Sequence, residues 1–439
     1  MGLGLRSTLR YAALALLLVG LIVSGGLRAQ RQEPVIVTAL MPAPFAEATA
    51  PIVERFNRRH PGIDLRVNRG PFETEAISDL AISSLLLGDS PYDLLLMDVT
   101  WTPKYAAAGW LAPLEPLLGE DALAGVVPGA REGNRFDGHL WRIPLVADMG
   151  LLYWRTDLMA APPRTPDELM ATAGALQRAG RVRWGYVWQG RQYEGLSCVF
   201  LEVLRGFGGQ WLSASGDRVE LGSPAGVAAA SWLRQLIDLG ITPRAVANFA
   251  EPEALQSFEA GDAALMRNWP YAWAELQKPG SQVRGKVGVT TMVAAPGGSP
   301  AATQGSWGLS LVSQSPHPRE AALVIAALTA PEVQKDLARR LGYTPTLSAL
   351  FEEPELVAAN PVLPELRRAL EATVLRPLSP LYAQLSDILQ RQLSEVITGE
   401  REAAEGMERA QRLSNQLLRA SGVGASGVGA SASGVEARS

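Results

Sequence analysis

A chain of 439 residues that is 47% hydrophobic and 19% charged is a globular protein, long enough to bury a large core and to divide into two or more lobes. Its net charge of -4 and the absence of any basic block exclude a nucleic-acid binder, because neutralising phosphates needs clustered Lys and Arg.

The N-terminus reads as an export signal: Arg6 and Arg10 precede an apolar run from Tyr11 to Val23, followed by Ser24-Gly25-Gly26 and a small residue, Ala29, where cleavage could occur. The run is short for a membrane span, which needs about 20 apolar residues. Leu27 stands where a small residue is preferred, so retention as an N-terminal anchor stays open. No cysteine follows the run to carry a lipid. The one cysteine, Cys198, lies in the apolar stretch Leu196 to Leu204 and is expected to pack as a small buried hydrophobe, so stability must come from packing and not from an internal disulfide.

Strands and helices then alternate. Val35 to Leu40 reads as a strand, Ala46 to Arg59 as a helix with apolar spacing at Ile52, Val53 and Phe56, and Pro61-Gly62 stops it. Ile63 to Val67 is the next strand, Glu73 to Leu87 the next helix, and Tyr92 to Met97 a strand of the buried parallel kind, which completes a βαβαβ unit. Thr165-Pro166-Asp167-Glu168 announces a helix, with Thr165 as cap and Glu168 closing a capping box. Further helices are predicted at Tyr193 to Phe207, Pro224 to Leu239 and Glu251 to Ala260, with strands near Trp184 to Val187, Ala263 to Met266 and Val287 to Thr291. Met292 to Ser306 reads as a loop, Gly308 to Val312 as a strand, and Pro318 to Leu418 as a helical region broken by prolines. The tail, Ser421 to Val435, repeats Ser-Gly-Val-Gly-Ala and lacks the apolar surface to order itself.

Arg267-Asn268-Trp269-Pro270-Tyr271-Ala272-Trp273 gathers rings at a strand-to-helix corner, where open α/β sheets bind ligands. Sugar C–H faces lie well against such rings, and the hydroxyl rim needs charged or amide partners once water is gone. A core aromatic cluster is the alternative.

Tyr92-Asp93-Leu94-Leu95-Leu96-Met97-Asp98-Val99, followed by Ala106 to Leu114, resembles the signature of periplasmic sugar-binding proteins of ABC importers, most nearly the trehalose/maltose-binding branch. The resemblance extends through Leu140 to Trp154, Val187-Trp188-Gln189-Gly190, Arg267 to Trp273, Gly285 to Val289 and Arg376-Pro377. It implies an α/β fold of two lobes joined by crossover strands that close on a sugar in the cleft. Residues 34–146 with 301–350 would make one lobe, and 147–300 with 351–420 the other. It also implies a periplasmic monomer that needs no cofactor or metal, performs no chemistry, and hands its sugar to the inner-membrane permease subunits and their ATPase.

Asp98 ends a buried strand and can accept sugar hydroxyls, or cap the segment after it. Asp148 stands alone among apolar residues in the expected crossover, as a ligand group or half of an ion pair. Glu47 matches an acid that reaches the sugar in the family, with a solvated first-turn acid as its alternative. Trp269, Tyr271 and Trp307 match the family's aromatic positions, and Tyr193 and Arg376 match a loop of the second lobe and a helix start, with a simple pairing to a carboxylate as the alternative for Arg376. Where relatives that bind trehalose or maltose carry a threonine and an arginine, this chain has Phe72 and Ile77. That departure admits a smaller or less polar glycoside, such as glucosylglycerol or sucrose, beside trehalose and maltose.

Paired carboxylates with aromatic platforms also describe a secreted glycoside hydrolase, the rival class. His60, His139 and His317 are scattered without metal-ligand spacing, and no Gly-rich phosphate loop is present. A cell-surface attachment protein would use the anchor and tail but leave the rings and acids unexplained.

Overall fold

Val35–Pro42 (β1) is apolar at every position but Thr38, and Ala43–Arg59 (α1) follows directly with Pro44 in its first turn, where a missing N–H costs nothing. Ile63–Gly70 (β2) pairs parallel to β1, and Thr74–Leu86 (α2) leads to Leu94–Asp98 (β3), buried at every position and parallel to β1 on its other side. The βαβαβ reading therefore describes the real start of the fold. The computed structural model describes residues 33 to 422, and the expected leader and all but the first two residues of the repetitive tail lie outside them.

Ile143–Met149 (β4) passes through Gly150 straight into Leu151–Arg155 (β5), which belongs to a second sheet. Pro166–Arg178 (α3) comes next, with Thr165 accepting from the Glu168 N–H at 3.1 Å. The Glu168 carboxylate reaches back to Arg164 N at 2.8 Å, one residue before the predicted capping-box partner. Trp184–Val187 (β6), Glu194–Gly206 (α4), Pro224–Asp238 (α5), Glu251–Glu259 (α6), Ala263–Asn268 (β7), Tyr271–Leu276 (α7) and Val287–Thr290 (β8) complete the second lobe's α/β pattern. Its four strands run in the order β8-β5-β7-β6.

Ala302–Val312 (β9) then returns to the first sheet, antiparallel to both β3 and β4. This corrects the expected loop to residue 306, because Ala302 to Ser306 are already buried strand. The β-branched Thr303 and the ladder partners Met149 and Asp148 draw this glycine-containing segment into the sheet, overriding its loop-like composition. Pro318–Leu328 (α8), Pro331–Leu341 (α9) and Leu363–Glu371 (α10) pack beside the first sheet, and Thr373–Val374 (β10) pairs with the start of β9. The chain crosses once more after Val374 into Tyr382–Thr398 (α11) and Ala403–Ala420 (α12), whose Leu385, Leu389, Leu393, Met407 and Ala410 enter the second lobe's core. The result is two α/β lobes with three crossings, the two-lobe periplasmic binding protein fold.

The first two crossings are tied together by a buried ion pair. Glu202 on α4 accepts from Arg267 on β7 at 2.5 and 3.0 Å, and from Thr303 N at 3.2 Å, while Gly150 N donates to Thr303 O at 3.1 Å. A side chain at position 150 would begin 1.8 Å from the Glu202 carboxylate, so glycine is a steric requirement there. Among the described residues no helix is long and apolar enough to cross a membrane.

Candidate functional site

β4 sets Asp148 at the last turn of the ladder before the crossing, opposite Gly305 on β9. A Cβ on Gly305 would lie 2.9 Å from the Trp269 ring and 3.4 Å from the Asp148 Cβ, so the acid, the glycine and the indole meet in one place. Among the described residues the Asp148 carboxylate has no hydrogen-bond or ion-pair partner. It keeps a sliver of its surface open but is otherwise walled by protein, and this desolvation, with the negative charge of Asp98 behind it, pushes its pKa up to about 7. The ion-pair alternative is not what the fold contains.

Asp98 is different. At the end of β3 it caps the 3-10 turn Val99–Trp101, accepting from Thr100 N at 2.9 Å and Thr100 Oγ1 at 2.7 Å. Arg376, in the third crossing, donates to both Asp98 oxygens at 3.0 and 3.2 Å and to Glu194 at 2.7 Å. Asp98 and Arg376 are 5% and 3% exposed, so this is a buried bridge from a first-lobe strand end to the start of α4 in the second lobe. Glu194 also accepts from Tyr382 and Ser386, and burial nonetheless raises its pKa. Sequence reading missed Arg142, which lies beneath this bridge and donates to Met97 O, Asn134 and Ser306 without a carboxylate of its own. Burial pulls its pKa down to about 9 although Asp98 works the other way.

The rings fall into two groups. On the second lobe, Pro270 sits at the α7 N-cap and Tyr271 opens the helix, so Trp269 and Tyr271 turn out of the sheet half-buried. Trp269 has the Arg267 guanidinium over its ring at 4.0 Å, and its Nε1 donates to Glu251 at 3.0 Å. Tyr193 donates to the other oxygen of Glu251 at 2.7 Å. On the first lobe, Tyr343 stacks on Phe45 at 5.2 Å, Phe45 meets Trp307 at 5.5 Å, and Trp307 meets Trp101 edge-on at 5.6 Å. Trp307 lies within β9 and not just past the end of the loop expected to run to Ser306. Tyr343 was missed. Burial raises its phenol pKa, and the charges of Asp148 and Glu47 add to the shift. The only sequence signal was the Gly342-Tyr343 pair after α9, where Gly342 takes the left-handed conformation that ends the helix.

Glu47 lies beyond the first turn of α1, because the helix starts at Ala43, and it pairs at the surface with Arg69 at 3.0 Å. The helix-dipole explanation for it therefore does not hold. Phe72 is 62% exposed, and Ile77 is sealed into the core with Leu40, so neither offers a polar group to a ligand. The neighbouring acids reach across the lobes instead: Glu73 pairs with Arg191 at 3.1 Å and Glu75 accepts from Glu194 N at 2.9 Å at the start of α4. A cavity of about 210 Å³ between the lobes is lined by Thr74, Glu75, Ser78, Thr100, Trp101 and Glu194 among others, and by none of the eight expected ligand residues. It adjoins them through Thr100 and Glu194, the bonding partners of Asp98 and Arg376, and through Trp101, which meets Trp307 edge-on.

Residues 38–335 match the model of the bacterial extracellular solute-binding proteins. The chain belongs to that family. It is 33% identical over 375 residues to a probable ABC transporter-binding protein of Deinococcus radiodurans, covering 83% of this chain and 88% of the relative. It is 25% identical over 322 residues to the maltotriose-binding protein of Pyrococcus abyssi, covering 71% and 66%. Among solved structures, maltose-bound MalE3 of T. maritima superimposes with a TM-score of 0.81 at 31% identity, covering 88% of this chain and all of that one. This membership speaks against the hydrolase reading, which no comparison supports.

Proposed function

We propose that this family member captures a disaccharide or related glycoside, of the size of maltose, trehalose, sucrose or glucosylglycerol, by closing its two lobes on it. It then delivers the sugar to an inner-membrane ABC permease with its ATPase, and it acts as a periplasmic monomer without chemistry. The observation that carries this reading is the Asp148 carboxylate, unpartnered at the junction of the lobes beside Trp269, with Tyr271 opening the next helix. An ionised acid raised in pKa by desolvation gains most from a ligand that brings two hydroxyl donors, and rings supply the C–H platform. The names of relatives that bind maltose and maltotriose support a glucoside. We place Glu47, Asp98, Tyr193, Tyr271, Trp307 and Arg376 around the same ligand, with Asp98 and Arg376 shaping the floor more than binding it. The lobe division lies near residues 146 and 301, with the third crossing after Val374.

A retaining or inverting hydrolase needs two carboxyl groups free at the scissile bond, and Asp98 is already held by Arg376 and Thr100. Calorimetric titration of the mature protein with maltose, trehalose, sucrose and glucosylglycerol tests the proposal. One glycoside is expected to bind with 1:1 stoichiometry and quench or shift tryptophan emission. Heat-silent titrations across the panel, or release of free monosaccharide, would count against it.

A further inference from the structure

Glu251 enters neither the resemblance nor the sequence reading as a ligand group, yet its side chain is the one that joins two of the second lobe's site rings, Trp269 and Tyr193. It opens α6, and its backbone is fixed from below, since Asn268 Nδ2 donates to Glu251 O at 3.2 Å. Its two carboxylate oxygens are divided: one accepts Trp269 Nε1 at 3.0 Å and the other accepts the Tyr193 hydroxyl at 2.7 Å. Trp269 is held at two further places and stays half-buried. Arg267 covers one face at 4.0 Å, and Gly305 approaches so closely that a Cβ there would stand 2.9 Å from the ring. Tyr193 is likewise backed by Arg191 at 4.5 Å and lies over Gly195, where a Cβ would stand 2.2 Å from its hydroxyl.

We infer that Glu251 is a positioning residue for the sugar site, a carboxylate fork that sets the indole and the phenol in one fixed relation before any ligand arrives. The inference rests on the proposed sugar-binding reading. Its physical content is pre-organisation: an indole free to turn loses rotamer freedom when a sugar stacks on it, whereas an indole already tethered does not. Charge-assisted bonds to a carboxylate are the stronger kind, and here each oxygen carries one of them. The fork acts through two donors only, Nε1 and the phenolic hydroxyl, and this makes it separable from a general stabilising role.

The test is a mutant cycle read by calorimetry with whichever glycoside binds the wild type. Glu251→Gln keeps the size of the side chain but cannot accept from both donors with full charge, and it is expected to weaken binding about tenfold. Tyr193→Phe together with Trp269→Phe removes both donors while keeping an aromatic ring at each position. In that background Glu251→Gln should change affinity by less than about twofold. Glu251→Gln should also shift the near-ultraviolet circular dichroism of the sugar-free protein, a signal from the indole that thermal stability alone does not move. Undiminished affinity in Glu251→Gln, or a full further loss in the triple variant, would overturn the positioning role and leave the sugar reading standing. A wild type that binds no glycoside would overturn both.

Discussion

Asp98 and Asp148 end strands of the same sheet on either side of β9, and the fold treats them in opposite ways. Asp98 is saturated, with two bonds from Thr100 and a two-oxygen contact from Arg376. Asp148 has no partner among the described residues, and its pKa stands at about 7 against the ordinary 3.8. A carboxylate that the protein satisfies is a beam between lobes, and one left wanting donors is a place for a ligand. The same sequence type at the same kind of position thus acquires its role from what the third crossing brings to it, which is Arg376 for Asp98 and nothing for Asp148.

Removing the saturated acid should have the largest effect. Asp98→Ala leaves Arg376 buried with one carboxylate fewer and should lower stability by about 3–5 kcal/mol, measured by chemical denaturation. A loss below about 1 kcal/mol would mean that the bridge is no beam. Next comes Asp148→Asn, which should weaken glycoside binding by about a hundredfold, since a neutral amide replaces the charged acceptor. Its effect on stability should have the reverse sign. The native protein holds the Asp148 proton more tightly than the unfolded chain, so this residue reduces stability as pH rises from about 3.8 through about 7, and the penalty is complete above that. The asparagine variant should therefore be more stable than the wild type by about 1 kcal/mol at pH 8 and by much less at pH 4. Thermal melts at the two values check the sign, and a variant less stable at pH 8 would erase the contrast between the two acids.

The smallest effect should come from the exposed interlobe contacts. Glu73 and Glu75 are both exposed, and together with Arg191 and the α4 N-terminus they span the lobes near the surface. Glu73→Ala with Glu75→Ala should weaken ligand binding about threefold in low salt, and the difference should fade toward 0.5 M salt. A salt-independent loss would place these acids at the ligand and not across the lobes.

Much of the architecture was legible because it rests on local patterns. β1, β2 and β3 and the helices between them show in apolar periodicity, and Pro270, Thr165 and Pro61-Gly62 mark helix ends by rules that hold without tertiary context. The reading failed where pairing with a distant strand decides the conformation, as at Ala302 to Ser306, whose loop-like residues become strand because β4 lies beside them. The site divided along the same line. Residues on recognisable corners, Trp269 and Tyr271, could be nominated from their neighbours in sequence. The partner of Asp98 lies 278 positions away, and Glu251 binds rings 18 and 58 positions away, so no local pattern announces either. The first-turn alternative for Glu47 failed because its helix begins earlier than the apolar spacing indicated, so the acid lies past the first turn and pairs at the surface with Arg69.

The missing side chain at position 150 has a further consequence for anyone who rebuilds this protein. A methyl group there would strike the Glu202 carboxylate and dislodge Arg267, the cation that lies over Trp269, so a change that looks confined to a linker would be felt at the ring. Reporter cassettes or stiffening substitutions meant to tune the molecule's opening should spare this junction and use exposed turns such as the one at Gly62, where an added Cβ meets nothing within 4 Å and the backbone is not left-handed.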